Sequence, residues 1–353
     1  MPRLTPLLLA LLLAATGCDT AETTIEATPA DGVFVANQGN FSDNNGSVTL
    51  YLPETGQTLT VLDDVGTLVQ SLTLTDDRAY VLSNTADAVE ILDMDLEPTE
   101  RIGRISGVPS PRYLAEVAPN KAYVSNLFAG TVTVVDLGAR RVTGTIPVGA
   151  NPEDIAVIDG RAYVANSGFG AGTTLTVIDV ATDAATGTVD VGCDGPRHLE
   201  ADREGELWVV CTGKTVYNDD FTEIIEQTHG AVVVLDGATG AGVARFALGA
   251  QAGAASFGQD LFYAPASGDL FAVQGTGLLV FDAATNTAAG RIDLAGEAPI
   301  GGVAYDAAAG RLYVARIPDF TTAGFVTLHD RSGAEIGRFP AGVAPGHIVL
   351  ADR

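Results

Sequence analysis

Four histidines occur in the 353 residues, and two of them, His198 and His347, stand where chemistry is conceivable. His198 follows Arg197 directly, and Asp154 occupies the corresponding stretch of an earlier, similar segment. A carboxylate and an imidazole are the usual pair for proton transfer, so Asp154 with His198 is the candidate acid/base pair. Arg112 and Tyr113 lie in a third such stretch and could offer polar contacts. A neutral imidazole at His198 or His347 could also serve as a polar anchor or an axial metal contact. Its simpler role is a histidine bonded to backbone or water at a channel mouth.

The second set of candidates is aromatic. Phe41 (NQGNF), Phe128 (NLF), Phe169 (NSGF), Tyr217, Phe221 and Phe320 (IPDF) recur among Gly and polar residues. Loop tips ordinarily carry small polar residues, so rings repeated there suggest contact with an apolar ligand. The competing reading is that each ring tucks between neighbouring elements.

Other motifs do not hold. Gly213-Lys214-Thr215 lacks the Gly five positions earlier that a phosphate loop needs, since Trp208 stands there. Gly168–Gly172 joins two strands, so no helix N-terminus is available for a pyrophosphate. There is no H-E-x-x-H, G-x-S-x-G or paired C-x-x-C, and nothing announces a nucleophile. No catalytic residue, resident metal or cofactor is expected.

These candidates hang on a repeating unit, clearest in Lys121–Gly149, KAYVSNLFAGTVTVVDLGARRVTGTIPVG. Period-two Val, Tyr, Thr and Ile bounded by Gly and Asp read as short antiparallel strands. Aligned on the end of one strand, the units place Leu52, Asp93, Asp136, Asp179, Asp236, Asp282 and Asp330 in a column. The spacing stays in the forties except once, between Asp179 and Asp236. That period, with four short strands per unit, predicts an all-β, seven-bladed β-propeller spanning residues 31–353. The Asp column predicts turn capping rather than catalysis. A second column reads Asn37, Ser83, Asn126, Asn166, Cys211, Gln274 and Arg316. A third starts the innermost strands at Pro111, Pro152, Pro196, Pro299 and Pro345, where proline costs no ladder bond. The first unit lacks an inner strand and Pro345–Arg353 looks like one, so the C-terminal strand should close the first blade. The aromatic loops and the loops entering the inner strands (Arg112, Tyr113, Asp154, Arg197, His198, His347) should then share one face.

Charge narrows the function. Asp and Glu number 44 against 19 Lys and Arg, a net charge of −25. A nucleic-acid binder concentrates basic residues, so that class is excluded. Lysine occurs only at Lys121 and Lys214. An acidic, Lys-poor surface suits solvation in concentrated salt.

Residues 1–18 read as a targeting segment. Arg3 precedes the apolar run Leu7–Ala15, too short to span a membrane, and Ala15-Thr16-Gly17-Cys18 resembles a bacterial lipobox. Lipidation at Cys18 would anchor the chain to a membrane without spanning it, through a flexible tether, residues 19–30. The expected location is the outer membrane or cell surface of a Gram-negative bacterium. Export permits disulfides, and Cys193 and Cys211 sit at opposite places on one hairpin about the turn Asp202–Gly205. A Cys193–Cys211 bridge is expected, with two buried thiols as the alternative. The long interval locates an insertion in Thr212–Gly230, whose carboxylates match no Ca²⁺ loop and read as an acidic lip.

The phrases Tyr123–Asn126 and Tyr163–Asn166 resemble the YVTN-type β-propellers from Asp31 onward. The phrase Val33–Tyr51, VFVANQGNFSDNNGSVTLY, and the strand Leu207–Cys211 are similar to the DUF5074/YncE-like propeller lipoproteins, with Gln38 where that group has Glu. Some members are cell-surface cobalamin-capture proteins that pass the vitamin to a TonB-dependent outer-membrane transporter. The resemblance implies a non-catalytic binding lipoprotein taking a corrinoid or similarly large ligand. Apolar contacts would come from Phe41, Phe128, Phe169, Tyr217, Phe221 and Phe320. Polar contacts would come from Arg112, Tyr113, Asp154, Arg197, His198 and His347. The alternatives are a lactonase-type propeller hydrolase using Asp154 and His198, and a protein-binding scaffold.

Overall fold

The computed structural model describes residues 32–351 apart from 64, 76, 95–98, 221, 250–257, 295 and 297. The lipobox, Cys18, the tether and Phe221 lie outside the described residues. The strands form seven four-stranded antiparallel sheets, plus one small two-stranded sheet. Blade three is typical: Pro111–Ala118, Lys121–Asn126, Thr131–Asp136 and Arg141–Pro147, from the inside outward. The first strands of successive blades touch one another around a closed ring, and Pro345–Leu350 touches both Ile300–Asp306 and Val69–Leu74.

Closure follows the expectation. Pro345–Leu350 pairs antiparallel with Val33–Asn37, placing Phe34 opposite Val349. Beside it the Ala351 amide donates to the Gly32 carbonyl at 2.9 Å. The inner edge of blade one is thus occupied, and no lengthwise strand edge is left there to template aggregation.

Apolar residues fill the gaps between blades. Tyr123, Val132 and Val134 of blade three interlock with Ala162, Val164 and Ile178 of blade four. Two of the buried strand tyrosines also reach the next blade's outer turn. Tyr123 donates to Asp183, and Tyr163 donates to the Gly237 carbonyl at 2.6 Å. Each ring therefore buries its body between sheets and satisfies its hydroxyl on the neighbour.

The polar columns serve the same scaffold. Asn126 Nδ2 donates to Thr131 Oγ1 at 2.9 Å and Thr133 Oγ1 at 2.8 Å. Asn37 and Asn166 clasp Ser47 with Thr49 and Thr174 with Thr176 in the same way. The Asp column caps turns: Asp136, Asp179, Asp236 and Asp282 each accept a backbone N–H three residues on. Cys193 and Cys211 are bridged, with Cα atoms 6.1 Å apart.

Candidate functional site

Strand pairing fixes which residues share a face. Pro111 stands opposite Asn126, and Asn126 opposite Thr131, so these three mark one edge of the disc. Ala118, Lys121 and Asp136 mark the other. The long loops after Asn37, Asn126, Asn166, Cys211 and Arg316 therefore all emerge on the first edge.

That edge is an aromatic face. Phe41, Phe128 and Phe169 are 68%, 71% and 67% exposed. Tyr217 and Phe320 are also exposed, with Ile224 and Ile225 beside them on the insertion. Among the described residues the other exposed large hydrophobics, Val243 and Ile336, sit on outermost strands, so apolar exposure concentrates on this face. The Phe128 and Phe169 rings lie 6.2 Å apart. Phe169 holds φ +52°, a left-handed conformation that costs a bulky residue energy. Its amide is fixed by Ser167 Oγ at 3.3 Å. The fifth-blade insertion is a small hairpin, Thr215–Tyr217 with Ile224–Gln227, carrying a Lys214–Glu226 ion pair at 2.9 Å.

The polar candidates sit elsewhere. Arg112 and Arg197 do not stand on the aromatic loops; they are buried in the inner ring. Arg112 Nη2 meets Glu153 at 2.6 Å, and Arg197 Nη2 meets Asp260 at 2.5 Å, each pair joining neighbouring blades. Tyr113 is buried with them, its ring edge-on to His198 at 5.2 Å and 6.0 Å from the ring of His347. Burial pushes the Tyr113 hydroxyl well above the ordinary phenol range, so it stays protonated.

Beneath this layer, away from the aromatic loops, lies a chamber of about 780 Å³. Asp154, His198 and His347 border it, together with Glu200, Phe262 and Tyr263. It also takes lining from the turns at Ala264–Ala266 and Asp306–Ala308, which belong to the opposite face. Asp154 Oδ1 accepts the Ile155 amide at 2.8 Å and Oδ2 the Leu199 amide at 3.0 Å. His198 Nδ1 is 3.6 Å from Asp154 Oδ2, while its Nε2 faces the Gly258 carbonyl at 2.9 Å. Burial, with the nearby Asp154 charge, raises the Glu200 carboxyl to about 8. Burial likewise lowers His347 to about 4, so its ring is neutral.

The sequence reading put both groups on one face, and the structure separates them. The aromatics gather on one face, while Asp154, His198 and His347 belong to a chamber behind a buried layer of Arg112, Tyr113 and Arg197. Glu153, Glu200 and Asp260 were not anticipated. Glu153 follows Pro152 as Arg112 follows Pro111 and Arg197 follows Pro196; the alternating charge in that column was the available signal.

The fold is widely shared. A hydrazine synthase structure from Kuenenia stuttgartiensis is 19% identical, covers 79% of this chain and 88% of its own, and gives a TM-score of 0.65. A Bacteroides fragilis protein provisionally assigned as a 6-phosphogluconolactonase is 14% identical over 91% of this chain and 98% of its own, TM-score 0.66. A functionally unknown protein from Desulfotomaculum acetoxidans is 13% identical over 91% and 99%, TM-score 0.67. At these identities the likeness concerns architecture alone. No curated protein matches the chain. Residues 31–224, more than half of the chain, match the domain of unknown function DUF5074, and the protein belongs to that family.

Proposed function

We propose that this propeller is a non-catalytic capture protein, exported and lipid-anchored through Cys18, that holds a large, partly apolar ligand on its aromatic face. The observation that carries this reading is the exposure of Phe41, Phe128 and Phe169 above two-thirds on one edge of the disc. Exposed rings gathered on one face among polar groups are the kind of surface that binds a partly apolar ligand. The strained backbone at Phe169 supports it, because the chain holds that ring outward at an energetic cost. A corrinoid has the required size and flatness, and the opening phrase of the domain resembles corrinoid-capturing relatives. Delivery to a TonB-dependent transporter is the matching partner role. Calorimetry with cobalamin and cobinamide tests it. Saturable binding weakened about tenfold by Phe128→Ala with Phe169→Ala supports the proposal; flat titrations with both corrinoids reject the corrinoid.

A hydrolase reading has one observation in its favour, the Asp154–His198 approach at 3.6 Å beside a chamber. Against a phosphorylated lactone stands the absence of Lys or Arg among the described lining residues. An uncharged aryl lactone turned over by the wild type and not by Asp154→Asn would support that reading over capture.

A further inference from the structure

Among the described residues the exposed rings of the aromatic face fall into two groups. Phe128 and Phe169 follow the second strands of blades three and four, and the hairpin Thr215–Tyr217 with Ile224–Gln227 follows that of blade five. One flank of the disc therefore carries all three. Phe41 and Phe320 belong to blades one and seven, three blades away from Phe169 in either direction. On the richer flank the Phe128 and Phe169 rings already lie 6.2 Å apart, and Ile224 and Ile225 stand exposed on the hairpin beside them. Ile225 is the extra residue where the hairpin register slips between Val216 and Tyr217, and such bulges re-aim a side chain.

An isolated two-stranded hairpin is marginal in water, but this one is fixed at its root. The Cys193–Cys211 bridge holds the two chains just before it. Thr228 Oγ1 donates to Asp194 Oδ2 at 2.7 Å and accepts the Lys214 amide at 2.9 Å. The root also closes on the blade-four loop that carries Phe169. The Gly195 amide donates to the Gly172 carbonyl at 2.8 Å. A Cβ on Gly170, which holds φ +95°, would come within 3.0 Å of the Gly213 carbonyl. Two adjacent glycine-lined loops thus seat the hairpin against Phe169 before any ligand arrives, which lowers the ordering cost of binding.

Charge restricts the guest. Neither Leu127–Gly130 nor Ser167–Gly172 holds a charged residue. The segment Lys214–Gln227 carries Asp219, Asp220, Glu223 and Glu226 against Lys214, which is paired with Glu226 at 2.9 Å. An anion would meet repulsion there, and a flat uncharged ring system would not.

We infer that the aromatic face holds its ligand off the axis, on Phe128 and Phe169 with Tyr217, Ile224 and Ile225 as a side wall, and that this ligand is flat and not anionic. The inference rests on the capture reading and locates its site. Ile224 and Ile225 are the specificity-determining residues it adds.

The test is fluorescence titration of the wild-type protein with Nile red, a flat uncharged dye, and with anilinonaphthalene sulfonate, an anion. Saturable Nile red binding is expected, with the sulfonate at least about tenfold weaker. Ile224→Ser with Ile225→Ser should weaken Nile red about tenfold. Val243→Ser with Ile336→Ser removes comparable exposed apolar groups from outermost strands and should leave it unchanged. Phe41→Ala should cost less than the hairpin pair. All these side chains are exposed, so the substitutions remove no buried packing. No saturable dye binding, unchanged binding in the hairpin variant, or a loss in Phe41→Ala as large as in that variant overturns the inference. The dye result is independent of the corrinoid calorimetry. Flat corrinoid titrations with the expected dye pattern reject the corrinoid and uphold this site, whereas corrinoid and dye binding both indifferent to the hairpin pair uphold capture and reject this site.

Discussion

Cys193 and Cys211 are bonded at the place where, one blade earlier, the Gly149 amide donates to Asn166 Oδ1 at 3.0 Å. Gly149 and Cys193 each stand three residues before an inner-strand proline, and Asn166 and Cys211 each end the following strand. A Cβ on Gly149 would come within 2.4 Å of Asn166. Blade five has replaced a glycine–asparagine contact with a covalent one. Cys193→Ala with Cys211→Ala should cost about 2–4 kcal/mol in urea unfolding. Cys193→Gly with Cys211→Asn should recover about 1 kcal/mol of that, by restoring the hydrogen bond used next door.

The asparagine clasp predicts its own loss. Asn126→Ala removes two hydrogen bonds and strands Thr133, which is 1% exposed. About 2 kcal/mol of destabilisation is expected, read from the urea midpoint. A change within about 0.5 kcal/mol, the range of an ordinary surface substitution, would mean the clasp is decorative.

Arg112 and Glu153 should behave as a coupled pair. Arg112→Met leaves a buried carboxylate without its partner and should cost about 3–5 kcal/mol. Arg112→Met with Glu153→Leu should lie close to the wild type. The double-mutant cycle is therefore strongly non-additive.

Glu200 and His347 predict opposite limbs of the stability–pH curve. Glu200 binds its proton more tightly folded than unfolded. Its contribution is intact below its ordinary value of 4.5 and is lost as pH rises to about 8. His347 is depressed, so its contribution is intact above 6.5 and is lost as pH falls to about 4. Melting temperature against pH should flatten on the alkaline side in Glu200→Gln and on the acid side in His347→Asn.

The strained aromatic offers a trade between stability and binding. Phe169→Gly removes the side chain that disfavours φ +52° and should stabilise the fold by about 1 kcal/mol. The same change should weaken whatever ligand the aromatic face holds.

Much of this was legible before any coordinates. The Asp column, the prolines and the Tyr-Val-x-Asn phrases each answer to a local rule, so blade number, ring closure and turn positions could be read. The loop aromatics were legible because rings are uncommon at loop tips. The polar residues were misplaced for a definite reason. Strand register slips between Pro111 and Leu114, Pro152 and Ile155, and Pro196 and His198. Each slip breaks the in–out alternation on which strand reading depends. Arg112 and Tyr113 are consecutive yet both buried, a pattern no period-two rule yields. Glu200 became visible only once the inner strands were set around a common axis.

The pairing of Pro345–Leu350 with Val33–Asn37 also sets a clock on folding. The two partners are separated by nearly the whole chain, so their contact forms late and slowly, as distant contacts do. Until that contact forms, the ring is an open crescent with one unpatched side. A chaperone that shields Val33–Asn37 during that interval, or a premature stop before Pro345, would act on the yield of intact discs while leaving each finished blade unchanged.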